Sequence, residues 1–181
     1  VIFIGEIRDA QAMTAAITYA LSGHLVVSTL HANNSYHALS RIVSMYPAEN
    51  RANLMADLSA ALKCVVTQRL VKNKHGGRLP ALEIMLNTQL TADLIEQGKL
   101  SELKEALTNS LAKGSQTFEQ HLVRLVNDGM VSTEEAMASS DSPTNLTWLL
   151  NNQGMSKALE QAAAPIDRTA GGATYKEFNF G

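Results

Sequence analysis

Two β-prone runs separated by one helix-length segment constrain the opening of this chain more than anything else in it. Val1 to Ile4 is a continuous apolar run with β-branched residues, the pattern of a strand covered on both faces in a parallel sheet. From Asp9 to Ser22 the residues Ala12, Ala15, Ala16, Tyr19 and Ala20 recur at helical spacing. Asp9 is placed to cap free N–H groups, and Gly23 to supply a left-handed C-terminal turn. His24 to Leu30 then returns to a strand. Strand, helix and strand within about 30 residues is the size of one right-handed βαβ unit. The expected fold class is therefore α/β, with an open parallel sheet at this end.

Beyond the loop His31 to Asn34, Ser35 is positioned to cap a short helix carrying Leu39, Ile42 and Val43 and closed by Pro47. A longer helix is expected from Glu49 to about Cys64, with Leu54, Leu58, Ala61 and Leu62 on one stripe. Val65 to Lys72 and Leu79 to Asn87 are β-prone and joined by Asn73, Lys74, His75, Gly76 and Gly77, which predicts a hairpin that extends the sheet. From Thr88 onward the pattern is helical only: 91–97, 102–113, 118–127, 133–139 and 143–151, punctuated by Gly98, Gly114, Gly129 and the turn at 140–142. These segments read as a small helical bundle, residues 88–152, appended to an α/β part, residues 1–87. Residues 153–181, rich in Ala and Gly and without a sustained apolar stripe, are expected to be a disordered tail.

Composition narrows the function classes. With 15 basic and 17 acidic residues and a net charge of −2, the chain offers no strong attraction to nucleic acid or to an anionic membrane. A single cysteine, Cys64, excludes an internal disulfide framework or a four-cysteine zinc site. No apolar run approaches the roughly 20 residues that span a bilayer, so membrane association is expected only through a partner. His37, His75 and His121 have no partners at ligand spacing, and no metal site is assigned.

The candidate chemistry lies where the two opening strands end. Glu6 follows the C-terminal end of the first strand, the edge at which open α/β sheets place their ligands. A carboxylate there can polarise a water for attack on a phosphoryl group; the plainer role is to cap the next helix or to pair with Arg8. Thr29, His31, Asn33 and Asn34 are delivered to the same edge by the second strand. Imidazole, hydroxyl and amide groups there can sense a terminal phosphate without adding fixed charge. His24, at the strand entry, is more readily structural than a ligand. Arg8 is a candidate phosphate or subunit contact, although Asp9 and Arg8 together are also ordinary helix-start electrostatics. Arg41 and Arg69 are placed nearer to structure than to catalysis.

The run I-F-I-G-E-I-R-D resembles a Walker B segment, and G-H-L-V-V-S-T-L-H-A-N-N a His box, of the secretion-superfamily ATPases. Within them the chain resembles the PilT/PilU-type twitching-motility ATPases, through Q-R-L at 68–70, D-L-I-E-Q-G-K, G-S-Q-T-F-E-Q-H-L and S-T-E-E-A-M, over Val1 to Leu150. The H-A-N-N form, and L-T-A-D-L-I-E-Q where an A-I-R-N-L-I-R-E-like segment would stand, bring it nearer PilU than PilT.

The resemblance implies the C-terminal portion of a RecA-like P-loop NTPase domain followed by the helical bundle. It implies Glu6 as the glutamate that orients or activates water and His31 as the His-box residue near the terminal phosphate. His24 supports it, and Gly5, Arg8, Thr29 and Asn33 complete the nucleotide-binding set. It further implies ATP with Mg2+, a homo-hexamer, a partner retraction ATPase, an inner-membrane pilus platform protein, and a cytoplasmic location peripheral to the inner membrane. Gly5 stands where the generic Walker B pattern has an Asp for magnesium, which leaves the metal to the nucleotide and to a P-loop Ser/Thr. No G-x-x-x-x-G-K-[ST] occurs in the sequence, so this chain alone is not expected to turn over ATP. The other reading is a non-hydrolysing module that docks on a pilus motor or pilus base. Retention of Glu6 and His31 speaks for the motor.

Overall fold

A computed structural model describes residues 1–110 and 112–152; the segment 153–181, expected to be a disordered tail, lies outside the described residues. Strand β1 (Ile2–Ile4) and strand β2 (Val26–Ser28) pair in parallel, Ile2 against Val26 and Ile4 against Ser28. Helix α1 (Ala10–Leu21) connects them, so the expected βαβ unit is present. The Asp9 side chain accepts a hydrogen bond from the Ala12 amide, and Gly23 takes up φ 94° at the other end, a conformation that only glycine adopts without strain.

The buried face of α1 is Met13, Ala16 and Ile17, whereas Ala15 and Tyr19 of the expected stripe are exposed. The run of small alanines misled the placement because the bulkier Met13 and Ile17 remove more apolar area from water. Nor is β1 covered on both faces. Ile4 and Val26 pack on the core, but Phe3, Leu25 and Val27 are 69%, 58% and 45% exposed.

Helix α2 (Ser35–Ser44) is capped by Asn34, whose Oδ1 accepts from the His37 amide, and not by Ser35. Ser35 is instead the first helical residue and donates to Glu83. A 3-10 turn at Ala48–Asn50 leads into α3 (Arg51–Ala61), which buries Leu54, Met55 and Leu58. Strands β3 (Cys64–Lys72) and β4 (Arg78–Leu86) form the expected hairpin, in register from Cys64↔Leu86 to Lys72↔Arg78, with Gly76 and Gly77 at positive φ in the loop.

That hairpin does not extend the first sheet; β1–β2 and β3–β4 are separate two-stranded sheets. One edge of the hairpin, that of β4, is closed at Ile84 by the segment at Gln116. Ile84 and Gln116 exchange backbone hydrogen bonds at 2.9 Å, and the Leu82 amide donates to His121 Nδ1 at 2.8 Å. The Lys72 amide of β3 donates to Glu135 Oε1 at 3.0 Å. The hairpin is thus bound to the helical part.

Helices α4 (Gln89–Glu96), α5 (Leu103–Thr108), α6 (Phe118–Asn127), α7 (Thr133–Ser139) and α8 (Pro143–Asn151) follow. The helix expected over 102–113 stops at Thr108, where Ser110 Oγ accepts from the Ala112 amide and offers the backbone an alternative to the helical ladder. Two cores result. One joins Ile7, α1, α2, α3, α4 and α5 with Met85 of β4; the other joins Val71 and Ala81 of the hairpin with Phe118, Leu122, Val123, Val131, Ala136, Leu146 and Leu149. The hairpin contributes to both, through different residues of one inward face.

Leu146 is fully buried in the second core, whereas Trp148 two residues on is half-exposed. Leu146→Ala is expected to lower stability by about 2–5 kcal/mol in urea denaturation, and Trp148→Ala by markedly less. Equal losses would contradict this assignment of the core.

Candidate functional site

The parallel pairing of β1 with β2 continues past both strands and builds the site. The Ile7 amide donates to the Thr29 carbonyl at 2.9 Å, and the Thr29 hydroxyl donates to the Gly5 carbonyl. Glu6 and the residues after β2 are therefore held at one edge of the sheet, as the sequence predicts. His31 Nε2 lies 3.0 Å from Glu6 Oε1, and Arg8 donates from Nε at 2.7 Å to Glu6 Oε2. Both carboxylate oxygens are thus engaged, one by each neighbour. The Glu6 side chain is 24% exposed and that of His31 79%, so the pair is open to a ligand from solvent.

The hydrogen bond from the Arg8 guanidinium holds the Glu6 carboxyl below the usual glutamate range; desolvation opposes it, and the charge of Arg8, then of His31 and Arg41, adds to the lowering. The same contact raises Arg8. A carboxylate so stabilised is a weak base and a good hydrogen-bond acceptor.

The loop from His31 to Ser35 is pinned at alternate residues by side chains from elsewhere. Arg41 Nη1 donates to the His31 carbonyl at 3.0 Å. Arg69 donates to the Asn33 carbonyl from Nε at 3.3 Å and from Nη2 at 3.2 Å. Buried Glu83 Oε1 accepts from the Ser35 amide at 2.8 Å and from the Ser35 hydroxyl at 2.7 Å. Asn33 Oδ1 meets His37 Nδ1 at 2.6 Å.

Of the residues singled out from sequence, Gly5, Glu6, Arg8, Thr29 and His31 are joined by direct contacts, and Asn33 stands in the same loop. His24 is not brought to them: its Nδ1 meets Ser22 Oγ at 3.1 Å, and its ring packs edge-on to Tyr19. A Cβ added at Gly5 would meet no atom within 4 Å, so space does not exclude a side chain there. The residues that sequence reasoning undervalued are Arg41 and Arg69, read as structural and found supporting the His31 loop, and Glu83, which was not singled out at all. The only available signal for Glu83 was a charged residue at an inward position of an alternating strand.

A carboxylate with an imidazole on one oxygen and a guanidinium on the other can orient a water, or release its cationic partner to a phosphate. No group of three or more His, Cys, Asp or Glu able to hold a metal occurs among the described residues. Nor is any helix among them long and apolar enough to cross a membrane.

Residues 1–76 match the family model "Type II/IV secretion system protein". The Type IV pilus ATPase PilU of Pseudomonas aeruginosa is 42% identical over 151 residues, which are 83% of this chain and 40% of that protein. The Type IV pilus retractation ATPase PilT of the same organism is 36% identical over 145 residues, 80% of this chain and 42% of that protein. The crystal structure of the pilus retraction motor PilT with bound ADP superposes with a TM-score of 0.71 at 32% identity, covering 81% of this chain and 41% of that one. The chain spans about two fifths of the length of these relatives. The RecA-like α/β fold class expected from sequence is shown by the structural match, and the greater likeness to PilU than to PilT by the identities.

Arg8→Ala should raise the Glu6 carboxyl toward the ordinary glutamate range, read from its side-chain carbon shift in an NMR titration. With Arg8 present Glu6 stays ionised at pH values where an unpaired glutamate is already half protonated, and the pair is lost only as the pH falls through the lowered pKa. An unchanged titration in Arg8→Ala would show that the contact does not govern the carboxylate.

Proposed function

Through residues 1–76 this chain belongs to the type II/IV secretion family and is similar to its PilT/PilU-type ATPases, and from that premise we propose that it is the catalytic back portion of a hexameric motor that hydrolyses ATP to retract type IV pili. The observation that carries this reading is the Glu6–His31 pair at the sheet edge, 3.0 Å apart and open to solvent. In the proposed reaction a water oxygen bonds to the terminal phosphorus as the bond to the bridging oxygen breaks. Once nucleotide draws Arg8 away, Glu6 orients that water and takes its proton as the new bond forms.

His31 and Thr29 face the charge that develops on the phosphoryl oxygens, and Asn33 fixes the loop from which His31 projects. Arg8 would leave Glu6 for phosphate or for a neighbouring subunit when nucleotide arrives. His24, remote from the pair, would support the strand entry. Mg2+ would be held by the phosphates and by groups outside this segment, consistent with Gly5 at the generic Asp position.

In this reading residues 1–87 are the ATPase part and 88–152 a helical subdomain, with α4 and α5 packed on the core of the first. The ring, a partner retraction ATPase, an inner-membrane platform protein as docking point and a cytoplasmic location belong to the same proposal. A P-loop would be supplied by a further segment of the longer protein, and residues 1–181 by themselves would be inactive.

In a longer protein that carries this segment together with a P-loop, Glu6→Gln should lower ATP turnover on the order of 10²–10⁴-fold, the usual weight of a positioned acid or base, while nucleotide still binds. Unchanged turnover would overturn the assignment. Turnover by purified residues 1–181 that disappears with Glu6→Gln would overturn the claim of inactivity. Absence of turnover in both the short and the longer protein would favour a docking module.

A further inference from the structure

Arg69 ties the His31 loop to the last helices. From β3 it donates twice to the Asn33 carbonyl, and the same Nη2 pairs with Asp141 Oδ2 at 2.7 Å, in the turn between α7 and α8. Its Nη1 donates to the Ser139 carbonyl at 3.2 Å, and its guanidinium carbon stands 4.2 Å from the centroid of the Phe118 ring at the start of α6. Both partners of the ion pair are mostly shielded, with side-chain exposures of 21% and 30%, so the pair is far less screened than one at the surface.

The guanidinium is planar and its donors are fixed relative to one another. Turning it toward or away from Asp141 therefore changes the angle at which it meets Asn33. The other supports of the loop, Arg41 and Glu83, lie on α2 and β4 and make no hydrogen bond to the α7–α8 turn among the described residues, so they do not share this property.

We propose that Arg69 is a positioning residue for the Glu6–His31 site, and that Asp141, by orienting Arg69, makes the geometry of the His31 loop answer to the α7–α8 turn. A shift of that turn, as when the helical part meets another subunit or a docking protein, moves the Asn33 carbonyl and with it the approach of His31 to Glu6. The proposal rests on the functional reading only in treating Glu6 and His31 as the reacting pair; the mechanical link itself is independent of nucleotide.

The test uses the whole chain without nucleotide, comparing wild type with Arg69→Gln, Asp141→Asn, the double variant and Glu135→Gln. Glu135 also ties the helical part to the hairpin, through the Lys72 amide, but does not touch the loop. The readouts are hydrogen exchange at the Ser35 and His37 amides, both hydrogen-bonded in the loop region, and the NMR position of the His31 ring signals. Losing a charge-assisted bond should speed exchange at these amides about tenfold in Arg69→Gln, with a smaller change in Asp141→Asn.

The two variants should be clearly less than additive, because Asp141 meets the loop chiefly through Arg69 and otherwise only through the Asn34 side chain, and the His31 signals should shift in the same direction in all three. Glu135→Gln should leave the loop unmoved. Additive effects of the two variants, loop signals indifferent to Asp141→Asn, or an equal response to Glu135→Gln would each overturn the proposal. Should Arg69→Gln fail to fold, Asp141→Asn against Glu135→Gln decides the question alone. Failure of ATP turnover in the longer protein would leave these exchange results standing, so the two readings fail separately.

Discussion

Everything at the candidate site depends on the parallel pairing of β1 with β2. Parallel strands joined by a crossover helix end on the same edge of their sheet, so residues far apart in the chain arrive side by side without any contact having to be selected for separately. Here the pairing runs beyond the strands, through the Ile7 amide to Thr29 and the Thr29 hydroxyl to Gly5. That extension holds Glu6 and His31 in a common frame. A slip of one residue would turn Glu6 to the other face of the sheet.

The loop after β2 has a different kind of support. Its own backbone makes little regular structure, and its carbonyls and amide are held by Arg41, Arg69 and Glu83 from three other elements. Ser35 and Glu83 are buried, and buried polar groups are expensive when unpaired and strongly directional when satisfied, whereas the arginine bonds to the loop lie at the surface. The loop is consequently specific in shape yet sensitive to its partners. Asp141 illustrates the balance. Burial pushes its carboxyl up, but the bond and charge of Arg69, with Lys104 and Asn34, more than offset that, and its carboxyl is held below the usual range.

Much of the architecture was legible in the sequence because local signals agreed with the fold. Asp9 and Gly23 bound α1, Gly76 and Gly77 shape the hairpin, and Glu6 and His31 meet because the βαβ pattern requires it. Several misses share a cause, which is that long-range contacts overrode local ones. Ser35 looked like a cap and became a donor to Glu83, forty-eight residues on, leaving the cap to Asn34. The hairpin looked like an extension of the first sheet, yet the outer edge of β4 pairs instead with the backbone of Gln116. Arg69 carried no sign in its neighbourhood of the Asp141 and Phe118 that fix it. Sequence spacing reports the partners within a turn or a strand, not those that packing brings from elsewhere.

The site as it stands satisfies the Glu6 charge internally, so a phosphate arriving there must compete with Glu6 for Arg8 and His31. The most direct measurement of the central claim is a crystal structure of the longer protein, including this segment, with a non-hydrolysable ATP analogue. The account predicts the terminal phosphate within hydrogen-bonding reach of His31, Arg8 withdrawn from Glu6, and a water between Glu6 and the phosphorus. A nucleotide bound elsewhere, with the Glu6–Arg8 pair intact, would contradict it.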